Sequence, residues 1–108
     1  MGDRELLERA AKAAEQERSA AGDLWSNARG QLWNPLTDDG DALRLAVKLH
    51  ITPHIDGNLT DAESSAGFFT EPHFDDPYVA TRRAIVLAAA EIRKQMVGAD
   101  STQEGREG

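Results

Sequence analysis

Asp76-Pro77-Tyr78-Val79-Ala80-Thr81-Arg82-Arg83-Ala84-Ile85-Val86-Leu87-Ala88-Ala89-Ala90 is the stretch whose reading decides the fold of this chain. Aspartate is a favoured N-cap, and proline is pre-set for the first helical position, so Asp76-Pro77 marks a helix start twice over. Tyr78, Ile85, Ala89, Ile92 and Met96 then recur along one stripe, flanked by Val79, Val86 and Leu87. Ala84 to Ala90 is apolar nearly all round, which a surface helix would not tolerate, so this helix belongs at the centre of the molecule. Gly98 is its expected stop. Ala99 to Gly108 is polar, glycine-bearing and without apolar periodicity, which predicts a disordered C-terminal tail behind a single domain at residues 1–98.

Upstream of that helix the pattern changes period. Ile51, Pro53 and Ile55 alternate with Thr52 and His54, as on a strand, and Pro53 cannot donate a ladder bond, so this should be an edge strand. Asp56-Gly57-Asn58 is a strong turn signal. Gly67 to Glu71, with Phe68 and Phe69, offers a return strand, while the polar segment Asp61 to Ser65 reads as the loop of a long hairpin. Further back, Asp39 to Leu49 reads as a helix capped by Thr37 or Asp38, with acids at its positive end and Lys48 at its negative end. Pro35 pushes Asn34 toward an extended conformation. Gly30 to Trp33 is a candidate short strand.

The opening segment, Asp3 to Ala21, carries Leu6, Leu7, Ala10, Ala11 and Ala14 at helical spacing, with Asp3 as cap, Gly22 as stop, and Glu5/Arg9 and Glu8/Lys12 as i,i+4 pairs. The stripe is mostly alanine, so the helix packs closely but buries little area per residue, and its last turn, Gln16 to Ser19, is expected to fray. The predicted class is α+β: three helices packed on a small antiparallel sheet of two or three short strands.

A chain of 108 residues buries roughly two-thirds of its unfolded surface as one domain. It has no cysteine, which excludes disulfides, thiolate metal sites and cysteine nucleophiles. The N-terminus shows no secretory h-region, and no apolar run approaches the ~20 residues of a membrane span, so a soluble, cytoplasmic protein is expected. The formal net charge of −7 is concentrated between Leu36 and Asp76, where nine acids face only Arg44 and Lys48. Outside that span the charges balance. An acidic face repels a phosphate backbone, so direct nucleic-acid binding is disfavoured, and a basic protein surface is the partner it would steer.

Few residues combine into a chemical site. His50, His54 and His73 lie among carboxylates, yet Pro53 breaks any helix joining the first two, and on a strand they stand roughly 13 Å apart at about 3.3 Å per residue, too far for one ion. Asp56-Gly57-Asn58-Leu59-Thr60-Asp61 resembles a calcium loop, but the sixth position is Asp61 instead of glycine and the twelfth is Gly67 instead of glutamate. The pairs Asp38/Asp41 and Asp75/Asp76 suit helix capping better than acid–base catalysis. No phosphate loop, nucleophile elbow or HExxH is found. Neither a metal nor a cofactor is therefore expected, nor any catalytic residue. Phe68 and Phe69 are adjacent, so on a strand they face opposite ways and one leaves the core unless covered.

The segment Trp33-Asn34-Pro35-Leu36-Thr37-Asp38-Asp39 through Leu49, the closing helix from Asp76-Pro77 through Arg82 to Val86, and the opening run Leu6 to Ala14 together resemble small uncharacterised phage and prophage proteins of the NinX-like kind. The three segments stand in the order seen there and cover about half the chain. Asp23 to Gln31 and Asp56 to Ser65 depart from that pattern. The resemblance implies a phage or prophage origin in a bacterial host, without an activity or catalytic residues to carry over.

The resulting expectation is a non-enzymatic protein that binds and modulates a host or phage protein with a basic surface, anti-defence inhibitors being one such class. The candidate binding residues are Trp33, Asp38, Asp39, Asp41 and Phe69. The alternative is a small-ligand protein that binds or sequesters a nucleotide, for which Arg29 near Trp33, and Arg82 with Arg83, would supply the phosphate contacts. Oligomeric state is left open by the sequence.

Overall fold

The computed structural model describes the backbone of residues 2–18, 25–26 and 32–107, and the side chains of residues 2–16 and 32–97. Helix α1 (Asp3–Ala13) leads to a two-stranded antiparallel pair, β1 (Glu17–Arg18) with β2 (Trp25–Ser26). Helix α2 (Asp39–Leu49) precedes an antiparallel meander of β3 (Thr52–Ile55), β4 (Leu59–Ser64) and β5 (Gly67–Pro72), and α3 (Pro77–Glu107) closes the chain. The architecture is the expected α+β arrangement, with α3 packed against α1, α2, β4 and β5.

The centre is built from small residues. Ala84, Val86, Ala88 and Ala89 of α3 and Ala10 and Ala11 of α1 are fully enclosed, joined by Leu6, Ile85, Ala42, Leu45, Ala46 and Ile51. Alanine at a helix contact lets backbones approach closely, so the core is tight but contributes modest area per residue. The Glu5/Arg9 and Glu8/Lys12 pairs form as the spacing predicts, at 3.2 and 3.8 Å.

Several local expectations are corrected. Helix α1 ends at Ala13, well before Ala21, because Glu15 turns left-handed (φ 56°) and Gln16 donates back to the Ala11 carbonyl at 2.9 Å, closing the helix without a glycine. Its cap is Gly2; Asp3 lies inside the helix and pairs with Arg83 at 3.0 Å. The polar run Asp61 to Ser65 is largely strand, not loop: β4 occupies the middle of the sheet, and its inward residues Thr60 and Ala62 are fully buried. Helix α3 passes Gly98 and continues to Glu107, since one glycine costs a helix only about 1 kcal/mol against alanine. Of the expected strand Gly30 to Trp33, Gly30 and Gln31 lie outside the described residues, Leu32 forms an isolated bridge, and Trp33 lies in no strand.

The register separates the two faces of the sheet. Pro53 pairs with Ala62, Ile55 with Thr60, and Phe69 with Ala62 on the face toward α3. Thr52, His54, Asp61, Glu63, Phe68 and Thr70 occupy the opposite face. There His54 meets Glu63 at 2.7 Å and the Thr70 hydroxyl donates to Asp61. The inner face carries a polar chain: the Thr60 hydroxyl lies 2.8 Å from both His73 Nε2 and the Thr81 hydroxyl, so a buried threonine and a buried histidine satisfy one another beneath α3.

Candidate functional site

The Trp33–Asp41 segment is a chain reversal locked onto α2. Asn34 Oδ1 accepts the Leu36 N–H at 3.0 Å, and the Asn34 carbonyl accepts from Thr37 and Asp38. Asp38 Oδ2 accepts the Asp41 N–H at 2.7 Å, which makes Asp38 the N-cap. Asp41 points inward. Its carboxylate accepts the Asn34 N–H at 3.0 Å and meets Arg44 at 2.7 Å, with 1 % of the residue exposed. Trp33 is buried in the main core.

The proposed binding residues are therefore scattered. Trp33 and Asp41 are buried and hold the reversal together, so neither forms part of an exposed face. Asp38 and Asp39 are exposed at the start of α2, where Asp39 pairs with Arg82 at 2.6 Å. Phe69 packs against the core beside Leu6 and Leu87, while its neighbour Phe68 is the uncovered aromatic, on the outer sheet face. The two adjacent phenylalanines face opposite ways, and Phe68, not the candidate Phe69, is the outward one.

The arginines suggested for a nucleotide are engaged within the fold. Arg82 donates to the Leu36 carbonyl at 2.9 Å as well as to Asp39. Arg83 joins α1, α3 and β5 through Asp3 and, at 2.8 Å, Glu71. Arg29 lies outside the described residues. The histidines are likewise separate: His50 ends α2 in a left-handed conformation (φ 57°), His54 pairs with Glu63, and His73 is buried. Among the described residues no group of three or more histidines and carboxylates could hold a metal, and no helix is long and apolar enough to cross a membrane.

What the structure does bring together is an apolar groove of about 500 Å³ between α2, the edge strand β3 and the start of α3. Its walls include Leu43 from α2, Pro53 and Ile55 from β3, and Tyr78 from α3, with Ile85 also lining it. Leu43, Ile55 and Tyr78 are 63, 60 and 67 % exposed, so large apolar side chains converge on a concave surface open to water. Asp39 and Arg82 line it too, and their ion pair is the principal charge within it.

Acids border these walls in sequence. Asp38 and Asp39 begin α2, Asp56 follows Ile55, and Asp75 and Asp76 precede Pro77; all five are exposed. Asp56 accepts N–H groups from Asn58 at 2.7 Å and Leu59 at 2.8 Å, and these bonds hold its carboxyl below the usual value of 3.8. Asp76 caps α3 by accepting from Tyr78 and Val79. Between them, Phe74 is 88 % exposed and left-handed (φ 52°), pinned by the buried His73 on one side and the Asp76 cap on the other. Comparison with protein-family models, with curated proteins and with solved structures gives no match.

Proposed function

We propose that this chain is a small acidic binding protein, without catalysis of its own, that docks on and modulates a protein with a basic surface. The observation carrying this reading is an exposed apolar groove with a carboxylate in its lining: Leu43, Ile55 and Tyr78 stand in water, Asp39 lines the same groove, and Asp38, Asp56, Asp75 and Asp76 are exposed next to its walls in sequence. Helix capping accounts for Asp38 and Asp76, and the β3–β4 turn uses Asp56. Asp39 and Asp75 exceed what capping needs. Apolar anchors within a charged rim are the general form of a protein-binding surface. The resemblance to small NinX-like phage and prophage proteins favours a host or phage protein as the partner, in the bacterial cytoplasm, with anti-defence inhibition as one setting.

The nucleotide alternative has weaker support, because Arg82 and Arg83 would have to abandon pairs that hold α2, α1 and β5 to α3. The experiment is affinity capture from host lysate, followed by association kinetics with the purified partner over a range of salt. The reading expects association to slow steeply with salt, since exposed charges are screened beyond roughly 8–10 Å at physiological ionic strength. The double substitution Asp39→Asn with Asp75→Asn should lower the on-rate chiefly. A partner indifferent to both salt and the double substitution would overturn it.

A further inference from the structure

We infer that the groove between α2, β3 and α3 receives the apolar face of a basic amphipathic helix from the partner protein; this rests on the binding function proposed above and specifies its occupant. Two physical arguments select a helix. The first concerns the outer edge of β3. The Asp56 N–H bonds to the Leu59 carbonyl, so alternation along the ladder turns the backbone groups of Asp56, His54 and Thr52 toward β4 and those of Ile55 and Pro53 outward. Pro53 has no N–H to offer. An added strand would find a broken row of donors, whereas a helix satisfies its own backbone and needs only a place for its side chains.

The second argument concerns charge and chemistry. The groove wall is apolar along Leu43, Pro53, Ile55 and Tyr78, and Asp39 stands at its margin with 68 % of its side chain exposed. An occupant with apolar residues at i, i+4 and i+7 would fill the groove, and lysine or arginine beside that stripe would meet Asp39 at the margin, with the exposed Asp56 and Asp75 next to Ile55 and Pro77 in sequence adding to the negative field. An acidic helix would meet like charge at Asp39 and the field of a chain with net charge −7. Tyr78 adds a rigid ring with a polar tip, the type of side chain that anchors such contacts.

The test uses the full chain and a synthetic amphipathic helix of leucine and lysine, with a scrambled peptide of the same composition as control. Titration followed by backbone amide shifts should place the helical peptide at Leu43, Ile55, Tyr78 and Arg82. Ile55→Ser and Tyr78→Ala should each weaken it about tenfold, the loss expected of a hot-spot side chain, while Phe68→Ala on the opposite sheet face leaves it unchanged. Both groove residues are mostly exposed, and thermal unfolding of each variant confirms that the fold is retained. Equal binding of the scrambled peptide, or sensitivity to Phe68→Ala instead of Tyr78→Ala, overturns the assignment. The same two variants are then tested on the captured partner. Salt-dependent binding that ignores Ile55→Ser and Tyr78→Ala overturns the groove as the docking site and leaves the acidic-face function standing; binding that ignores salt as well overturns both.

Discussion

The carboxylate of Asp41 accepts the backbone N–H of Asn34 at 3.0 Å, seven residues back along the chain. That bond, with the Arg44 pair, folds the Trp33–Asp41 segment against α2 and carries Trp33 into the core. An acid in this position is an internal support, and its neighbour Asp39 is a surface charge.

The two acids should therefore behave differently on substitution. Asp41→Ala leaves the Asn34 N–H without its acceptor and should cost about 1–3 kcal/mol. Asp39→Ala removes only an exposed partner of Arg82, which keeps the Leu36 carbonyl, and should cost about 0–1 kcal/mol. Urea unfolding midpoints of the two variants provide the comparison. Equal losses would mean that the reversal is not held by Asp41.

A second contrast tests the centre of the fold. Ile85 is 4 % exposed and belongs to the core, whereas Ile92 is only partly buried and packs against it. Ile85→Ala should cost about 2–5 kcal/mol, and Ile92→Ala should fall at or below the lower end of that range. Thermal or urea unfolding of the pair gives the order. A parent-like Ile85→Ala variant would contradict the central position of α3.

Where the sequence carried a strong local signal, the structure follows it. The bounds of α2, the Asp76-Pro77 start of α3 and the edge position of β3 were all legible, because caps, proline and alternation act within a few residues. Strand β4 was not, because its inward positions are Thr60 and Ala62. Neither looks apolar enough to betray a buried face, and their burial depends on His73, Thr81 and the alanines of α3, all distant in sequence. Trp33 and Asp41 read as an aromatic beside an acid, equally suited to a surface or a support; the spacing of Asp41 from Asp38 and Arg44, three residues each way, was the available clue. The groove was hidden for a different reason. Leu43, Ile55 and Tyr78 each fit a periodic apolar stripe, and only the packing reveals that the alanine-rich helices leave these three uncovered.

The C-terminal end is tested by truncation. Residues 99–108 hold no large apolar side chain, so deleting them should leave the unfolding midpoint unchanged even though the helix extends to Glu107. A marked loss of stability would show that this last stretch docks on the domain.

Asp56 gives a pH dependence with a definite sign. The N–H groups of Asn58, then of Leu59, hold its carboxyl below 3.8, with a smaller contribution from His73 and burial opposing. A carboxyl lowered in the folded state stabilises the fold above its unfolded value, and that contribution disappears as pH falls through the folded value. Asp56→Asn should lie below the parent at neutral pH and converge with it in acid below the carboxylate range. Unfolding midpoints across that interval are the measurement, and a constant offset at every pH would assign the effect to turn geometry instead of charge.

The two outer strands of the meander carry the last prediction. Alternation from the Asp56–Leu59 bond turns Pro53 outward on β3, and alternation from the bond between the His73 N–H and the Asn58 carbonyl turns Pro72 outward on β5. Each edge thus has a proline where an exposed N–H would otherwise invite another strand. Pro53→Thr and Pro72→Thr restore that donor while keeping a residue suited to a strand, and neither position loses an internal ladder bond. Stability should change by less than about 1 kcal/mol, because the native bonds of the sheet are untouched. Association should change much more: the double variant should self-associate more than the parent as concentration rises in sedimentation or light scattering. If the double variant stays as dispersed as the parent, the prolines are not what guards the sheet, and the polar outer-face residues His54, Asp61 and Glu63 become the next positions to test.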